Sequence, residues 1–149
     1  MGTYHRADLG LLILRVAIGS IFVLHGWMNS VAGQESFVRE MLQMAGWSMP
    51  GVFFWFVTVF ELAAGFLLLL GTWVQWAALL LGVEMVVAVA LFHLRQGFFI
   101  VAIPNVPLAY GFEYHVALVG GLACIALAGP GKWALDHRLT GPSGAPRGT

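Results

Sequence analysis

Eight side chains in this sequence could do chemistry: Arg15, His25, Glu61, Glu84, His93, Arg95, Glu113 and His115. They fall into two groups. Arg15, Glu61 and Glu84 lie inside long apolar runs, where an ionisable group is costly and turns toward the protein interior. These three are the candidate catalytic residues. A guanidinium can hold a carboxylate through two parallel hydrogen bonds. Arg15 sits roughly 10 Å into its run at 1.5 Å per residue, and is expected to reach Glu61 or Glu84. One cation cannot compensate two carboxylates in a low dielectric. One glutamate is therefore expected to hold a proton at neutral pH and to relay it. A purely structural clamp that fixes helix packing is the alternative for the same three residues.

The second group is expected at one end of the apolar runs. His25 closes the first, His93 closes the third, and Glu113 and His115 open the fourth, with Arg95 nearby. Three imidazoles at one level could bind Zn, Cu or Fe or hold a haem. They could also bond to a quinone carbonyl and exchange protons with it. Glu113 and His115 are two residues apart, so on a regular helix only one of them faces inward. Neither HExxH nor a GxGxxG following a strand is present, so flavin and NAD are not expected. The single cysteine, Cys124, excludes an internal disulfide and a multi-thiolate site; in LVGGLACIALAG it reads as a buried packing residue. Phe22, Trp27, Met28, Phe53, Phe54, Trp55, Phe92, Phe98 and Phe99 lie near the histidine end and could line an apolar slot for a flat ligand.

The elements that must position these residues follow from composition. The chain has 149 residues, 60% hydrophobic and 9% charged, against roughly 25% charged in an ordinary soluble domain. That excludes disorder and allows one domain. Seven Lys+Arg balance seven Asp+Glu, so there is no basic face for nucleic acid. Four runs approach the ~20 apolar residues of a membrane span: 9–27, 52–70, 74–94 and 112–128. An all-α, four-helix transmembrane bundle running up-down-up-down over 1–139 is expected, with a disordered tail over 140–149. The first run is long and holds Arg15, unlike a cleaved signal peptide. The segment 98–111 carries Pro104 and Pro107 and reads as a re-entrant or interfacial loop.

Four spans place both termini on one side, with Arg6, Lys132, Arg138 and Arg147. Arg39 and Arg95 lie opposite. That imbalance points to cytoplasmic termini. Trp27, Trp47, Trp55, Tyr110 and Tyr114 are expected at one membrane interface, and Tyr4, Trp73, Trp76 and Trp133 at the other. Gly19-Ser20, Ala63-Ala64-Gly65, Gly82, Ala88, Gly120-Gly121 and Ala126 are candidate points of close helix contact.

Five segments carry a family likeness: LRVAIGSIFVLHG, ELAAGFLLLLG, FHLRQGFF, GFEYHVAL and GPGKWALDHRL. In that order and spacing the chain resembles the DoxX family of small bacterial membrane proteins, over about 9–139. The family usually places a lysine soon after the His-Gly of the first span; here Trp27-Met28-Asn29 follow. The resemblance implies a four-helix bundle in the bacterial plasma (inner) membrane, similar to the small subunits of a thiosulfate:quinone oxidoreductase. Its pattern falls on Arg15, His25, Glu61, His93 and Glu113, among others. Two functions are therefore expected. One is a membrane subunit of a redox system, with quinone, metal or haem at His25, His93, Arg95, Glu113 and His115. It would work beside a partner redox protein or as a homo-oligomer. The other is a non-catalytic anchor or assembly subunit for a partner oxidoreductase.

Overall fold

The computed structural model describes residues 3–31, 39, 43, 46, 51–101 and 109–140. Among the described residues four long helices make the fold: α1 (Thr3–Val31), α2 (Gly51–Leu70), α3 (Val74–Ala88) and α4 (Glu113–Ala128). A short α5 (Leu135–Thr140) follows. Between α3 and α4 come a π-helical turn (Val89–His93), a 3-10 turn (Leu94–Gln96) and two short strands, β1 (Ile100–Val101) and β2 (Ala109–Tyr110). The strands pair antiparallel, Ile100 with Tyr110 and Val101 with Ala109. The expected loop over 98–111 thus closes on itself as a small hairpin. Pro104 and Pro107 lie outside the described residues, as do Trp47, Arg147 and the tail beyond 140.

The protein is an all-α transmembrane bundle. Three segments, His5–Val31, Gly51–Leu70 and Val74–Gln96, are long and apolar enough to cross a membrane. The 16 residues of α4 make a shorter helix of about 24 Å. The outward faces carry exposed Ile13, Leu24, Val59, Phe66, Val83 and Leu127. In water such a surface would drive association; against lipid it is the requirement. Trp27, Trp55 and Tyr110 are exposed toward one end of the bundle, and Trp73, Trp76 and Trp133 toward the other.

Neighbouring helices alternate in direction. On α1 and α2 the backbones nearly touch. A Cβ at Gly19 would lie 2.9 Å from the Gly65 carbonyl oxygen, and one at Gly65 would lie 3.0 Å from that of Gly19. Seven residues on, a Cβ at Gly26 would meet the Thr58 carbonyl at 3.0 Å and the Leu62 side chain at 2.6 Å. Rising numbers on α1 thus meet falling numbers on α2. Apolarity gives helices no reason to associate in lipid, so close packing of small residues supplies the attraction. Gly121 of α4 likewise admits Ile18 of α1, whereas Gly120 faces open space. Leu68, Val74, Leu81, Leu122 and Ile125 are fully buried at the centre.

The turn from α2 to α3 is tight. Gly71, at φ 77°, ends α2, and its N–H and that of Thr72 both donate to the Leu67 carbonyl at 2.9 and 3.1 Å. This left-handed closure is the usual role of glycine after a helix. Trp73 follows at φ 51°, an uncommon conformation for a bulky residue.

Gly19→Leu should lower stability in mild detergent by about 1–3 kcal/mol, because backbone, not a flexible side chain, blocks the added atoms. Gly120→Ala should leave stability unchanged or raised. Thermal unfolding followed by circular dichroism checks both. Equal losses at the two positions would mean that α1 and α2 do not meet this closely.

Candidate functional site

One end of the bundle is hollow. A cavity of about 410 Å³ lies between all four long helices. From α1 come Ile21, Phe22, His25 and Asn29; from α2 come Phe53, Phe54, Val57, Thr58 and Glu61. Both sets repeat a one-, four- and eight-residue spacing, which is one face of a helix. Glu84, Met85, Ala88, Phe92 and His93 close the third side, and Tyr114, His115 and Leu118 the fourth. Tyr110 and Gly111, at the base of the hairpin, complete it.

The lining is mainly apolar, with a few polar groups converging on it. Asn29 Nδ2 donates to Glu61 Oε2 at 3.4 Å. Thr58 Oγ1, Glu84 Oε2 and His115 Nδ1 are buried without a hydrogen-bond partner. Buried polar atoms are nearly always paired; of the five side-chain atoms left unpaired among the described residues, three lie on this cavity and the other two are Arg15 Nε and Nη1. The His93 and His115 rings lie 4.2 Å apart, tilted by 41°. His93 Nδ1 lies 2.6 Å from the Tyr110 carbonyl oxygen. A carbonyl only accepts, so Nδ1 carries the proton and Nε2 is the acceptor of the neutral ring.

The π-turn is what brings His93 here. At about 100° per residue an unbroken α-helix would place His93 about 180° from Glu84, on the opposite face. The Leu94 N–H donates to the Val89 carbonyl, five residues back. Such a π-turn absorbs one extra residue. Counting one residue fewer leaves about 80° between Glu84 and His93, and about 20° between Glu84 and Phe92.

The mouth is braced by the segment before α4. The carbonyls of Gly97 and Phe98 accept from the N–H groups of Phe112 (3.2 Å) and Glu113 (2.9 Å). The Ile100 N–H donates to Glu113 Oε1 at 3.1 Å, and the Tyr110 N–H to Gln96 Oε1 at 2.8 Å. Gly111 has no room for a side chain, because the carbonyls of Phe98 and Phe99 stand where a Cβ would go. The Tyr110 carbonyl that holds His93 is thus itself held.

The DoxX family model matches residues 10–94. The chain belongs to the DoxX family. It is also 24% identical over 134 residues to the inner membrane protein YqjF of Escherichia coli (strain K12), an alignment spanning 89% of this chain and 93% of that protein. No solved structure matches the chain. The matched part of this DoxX protein holds His25, Glu61, Glu84 and His93; His115 lies beyond it.

The structure separates the residues expected to act together. His25, Glu61, Glu84, His93 and His115 line one cavity. Arg95 is exposed and outside the lining, and Glu113 serves the hairpin. Arg15 corrects the sequence reading most. It is 1% exposed but sits at the far end of the bundle, beside Gly71 and Ala134. Its Nη2 donates to the Trp133 carbonyl at 3.3 Å, its Nε and Nη1 have no hydrogen-bond partner, and it feels the charge of Asp136. The expected Arg15 clamp on Glu61 or Glu84 does not form. Cys124 is exposed on the outer face rather than buried.

Sequence reasoning placed Asn29 near the histidines and Asp136 in the family pattern, and missed Thr58. Asp136 Oδ2 accepts from the Val74 N–H at 3.0 Å, at the positive end of α3, and its own N–H donates to the Gly71 carbonyl at 2.8 Å. Lys132 adds a second tie, its N–H donating to Asp8 Oδ1 at 3.1 Å. Among the described residues, no three His, Cys, Asp or Glu are arranged to hold a metal ion. As placed, His25, His93 and His115 do not form such a group. Nor do His93 and His115 fit a haem as its axial pair, since touching rings cannot stand on opposite sides of a macrocycle.

Two outcomes test this geometry. Asp136→Ala leaves Arg15 buried without its counter-charge, and should cost about 3–5 kcal/mol in thermal stability. In Arg15→Met/Asp136→Ala part of that loss should return; additive losses would mean that the two are not coupled. In a Cys124→Ala background, a His93→Cys/His115→Cys pair should cross-link with a short thiol-specific reagent. Deleting Ala90 from the π-turn should abolish the cross-link by turning position 93 away. Unchanged cross-linking would remove the π-turn from the account of the site.

Proposed function

We propose that the cavity binds a flat, apolar ligand of the quinone class. The protein then acts as a membrane subunit of a redox system in the bacterial inner membrane, with both termini cytoplasmic. The observation that carries the reading is the convergence of three imidazoles and two carboxyls on one largely apolar cavity of about 410 Å³. Such a lining, with few polar groups, is the usual form of a small-molecule site. Its volume falls within the roughly 300–1,000 Å³ of such sites.

A bound quinone supplies two carbonyl oxygens that take up two electrons and two protons. The residues of this chain would do the rest. Phe22, Phe54 and Phe92 would hold the ring and exclude water. Thr58 Oγ1 and His115 Nδ1, buried without partners, would bond to the ligand oxygens. Glu61 and Glu84 would hold the two protons and hand them to the ring oxygens, and His93 Nε2 would take up a proton from water to replace one of them. Electrons would enter from a partner redox protein. The YqjF likeness supports the membrane assignment, and the excess of Arg6, Lys132 and Arg138 at one end supports the orientation.

The test is lipid extraction of protein purified gently from native membranes, with titration of a short-chain quinone into ligand-free protein. The native chain should retain quinone above the level of the surrounding lipid. Thr58→Val and Glu84→Gln should weaken quinone binding about tenfold or more, as losing a buried hydrogen bond of about 1.5–3 kcal/mol implies. Quinone at background level, with no saturable binding, would sink this reading and favour the non-catalytic anchor.

A further inference from the structure

Among the described residues, no Lys or Arg faces the two glutamates of the cavity; the titratable groups around them are histidines and tyrosines. Glu61 is 7% exposed, and its Oε2 meets only the amide of Asn29. Glu84 Oε2 is buried without a partner. No Lys or Arg is among the residues that line the chamber, and Arg15 is committed to Trp133 and Asp136 at the other end. An ionised carboxylate buried without a counter-charge is very costly. The pair must be met by protons, held on the carboxyls or on the facing histidines, or by a positive charge that arrives from outside.

The wall says which kind of charge. Phe22, Phe53, Phe54 and Phe92 offer ring faces and apolar surface, which attract a weakly hydrated organic cation. Thr58 is 0% exposed and its Oγ1 has no partner, so a polar group of a guest has a hydroxyl to meet. A small inorganic ion would need a cage of oxygen ligands; the lining is mainly apolar, and among the described residues no three His, Cys, Asp or Glu are placed to hold a metal ion.

We infer that the chamber binds amphipathic organic cations, compounds with a positive charge on an aromatic or alkyl body, in exchange for a proton. A carboxyl of Glu61 or Glu84 loses its proton to the surrounding water as the cation takes its place, so charge balances. The inference goes beyond the quinone reading and does not depend on it. The groups facing the pair are His25 on α1, His93 on the π-turn, and Tyr114 and His115 on α4, with Tyr110 at the mouth. Protonating any of these histidines adds positive charge. Carboxyls and histidines therefore act in the same direction, and affinity for a cation rises with pH.

The test uses the full chain in nanodiscs of phosphatidylcholine, with empty discs as background. The probes are tetraphenylphosphonium and tetraphenylborate, alike in shape and opposite in charge. The cation should bind saturably and release protons. Its affinity should rise about tenfold per pH unit for each proton displaced, while the anion stays at background. Glu61→Gln and Glu84→Gln should each weaken cation binding about tenfold or more, and one of them should remove the proton release. Equal binding of both probes, or cation binding without proton release and unchanged in both variants, overturns the inference. If a variant does not yield monodisperse protein, the probe pair and proton release of the native chain decide. Quinone measured on the same discs separates the readings: saturable cation binding without quinone leaves this inference standing alone, and quinone without cation binding removes it.

Discussion

The commitment of Arg15 to the C-terminal segment shapes both ends of this molecule. A buried guanidinium must find acceptors and a counter-charge, and Arg15 finds the Trp133 carbonyl and Asp136. Asp136 in turn caps α3 through the Val74 N–H and ties itself to Gly71. One hydrogen bond of Arg15 and two of Asp136 thereby join α1, the turn between α2 and α3, and the chain after α4. At that turn a Cβ on Gly71 would collide with both Arg15 and Ala134. The consequence at the opposite end is electrostatic: the cation that could have neutralised Glu61 or Glu84 is spent elsewhere.

Much of the frame is legible in the residues. The ends of α2 and the start of α3 follow from Gly51, Gly71 and the apolar length between them, because lipid demands helices of a certain reach. Gly19, Gly65 and Gly121 are readable as contact points from size alone. Gly120 is not distinguishable from Gly121 in the sequence, since only the rotation of α4 decides which of the two meets α1. Glu61, Glu84 and the three histidines are legible as interior groups because charge and imidazole are rare in such runs. Depth, however, was a poor guide to partners. The contact of Gly19 with Gly65 sets Arg15 level with about position 69 of α2, eight residues or about 12 Å along the axis from Glu61. The acceptor that wins is a backbone carbonyl at position 133, and carbonyls leave no mark in a sequence.

The π-turn was hidden for a related reason. A helix of regular pitch puts Glu84 and His93 on opposite faces, so spacing alone argues against a shared site. Pitch changes where packing and hydrogen bonding reward it, and here the reward is the bond from His93 to the Tyr110 carbonyl. That carbonyl is in place because Gln96 holds the Tyr110 N–H and because Gly111 lets the chain pass close to Phe98 and Phe99. The hairpin, the turn and the histidine are thus one unit. No pair of them is informative without the third.

A neutral ring and an organic cation make different demands on the same walls. The ring needs the carboxyls to carry protons, so that they can donate to its oxygens and no bare charge faces an apolar guest. The cation needs them ionised. Apolar surface is indifferent to the choice, and Thr58 can donate to one guest or accept from another. The protonation of Glu61 and Glu84 then selects the guest, and each guest pulls the carboxyls toward the state it prefers. Binding and proton exchange are linked in this chamber whichever guest occupies it. That linkage follows from placing two acids in an apolar hollow and sending the only buried arginine among the described residues to the other end.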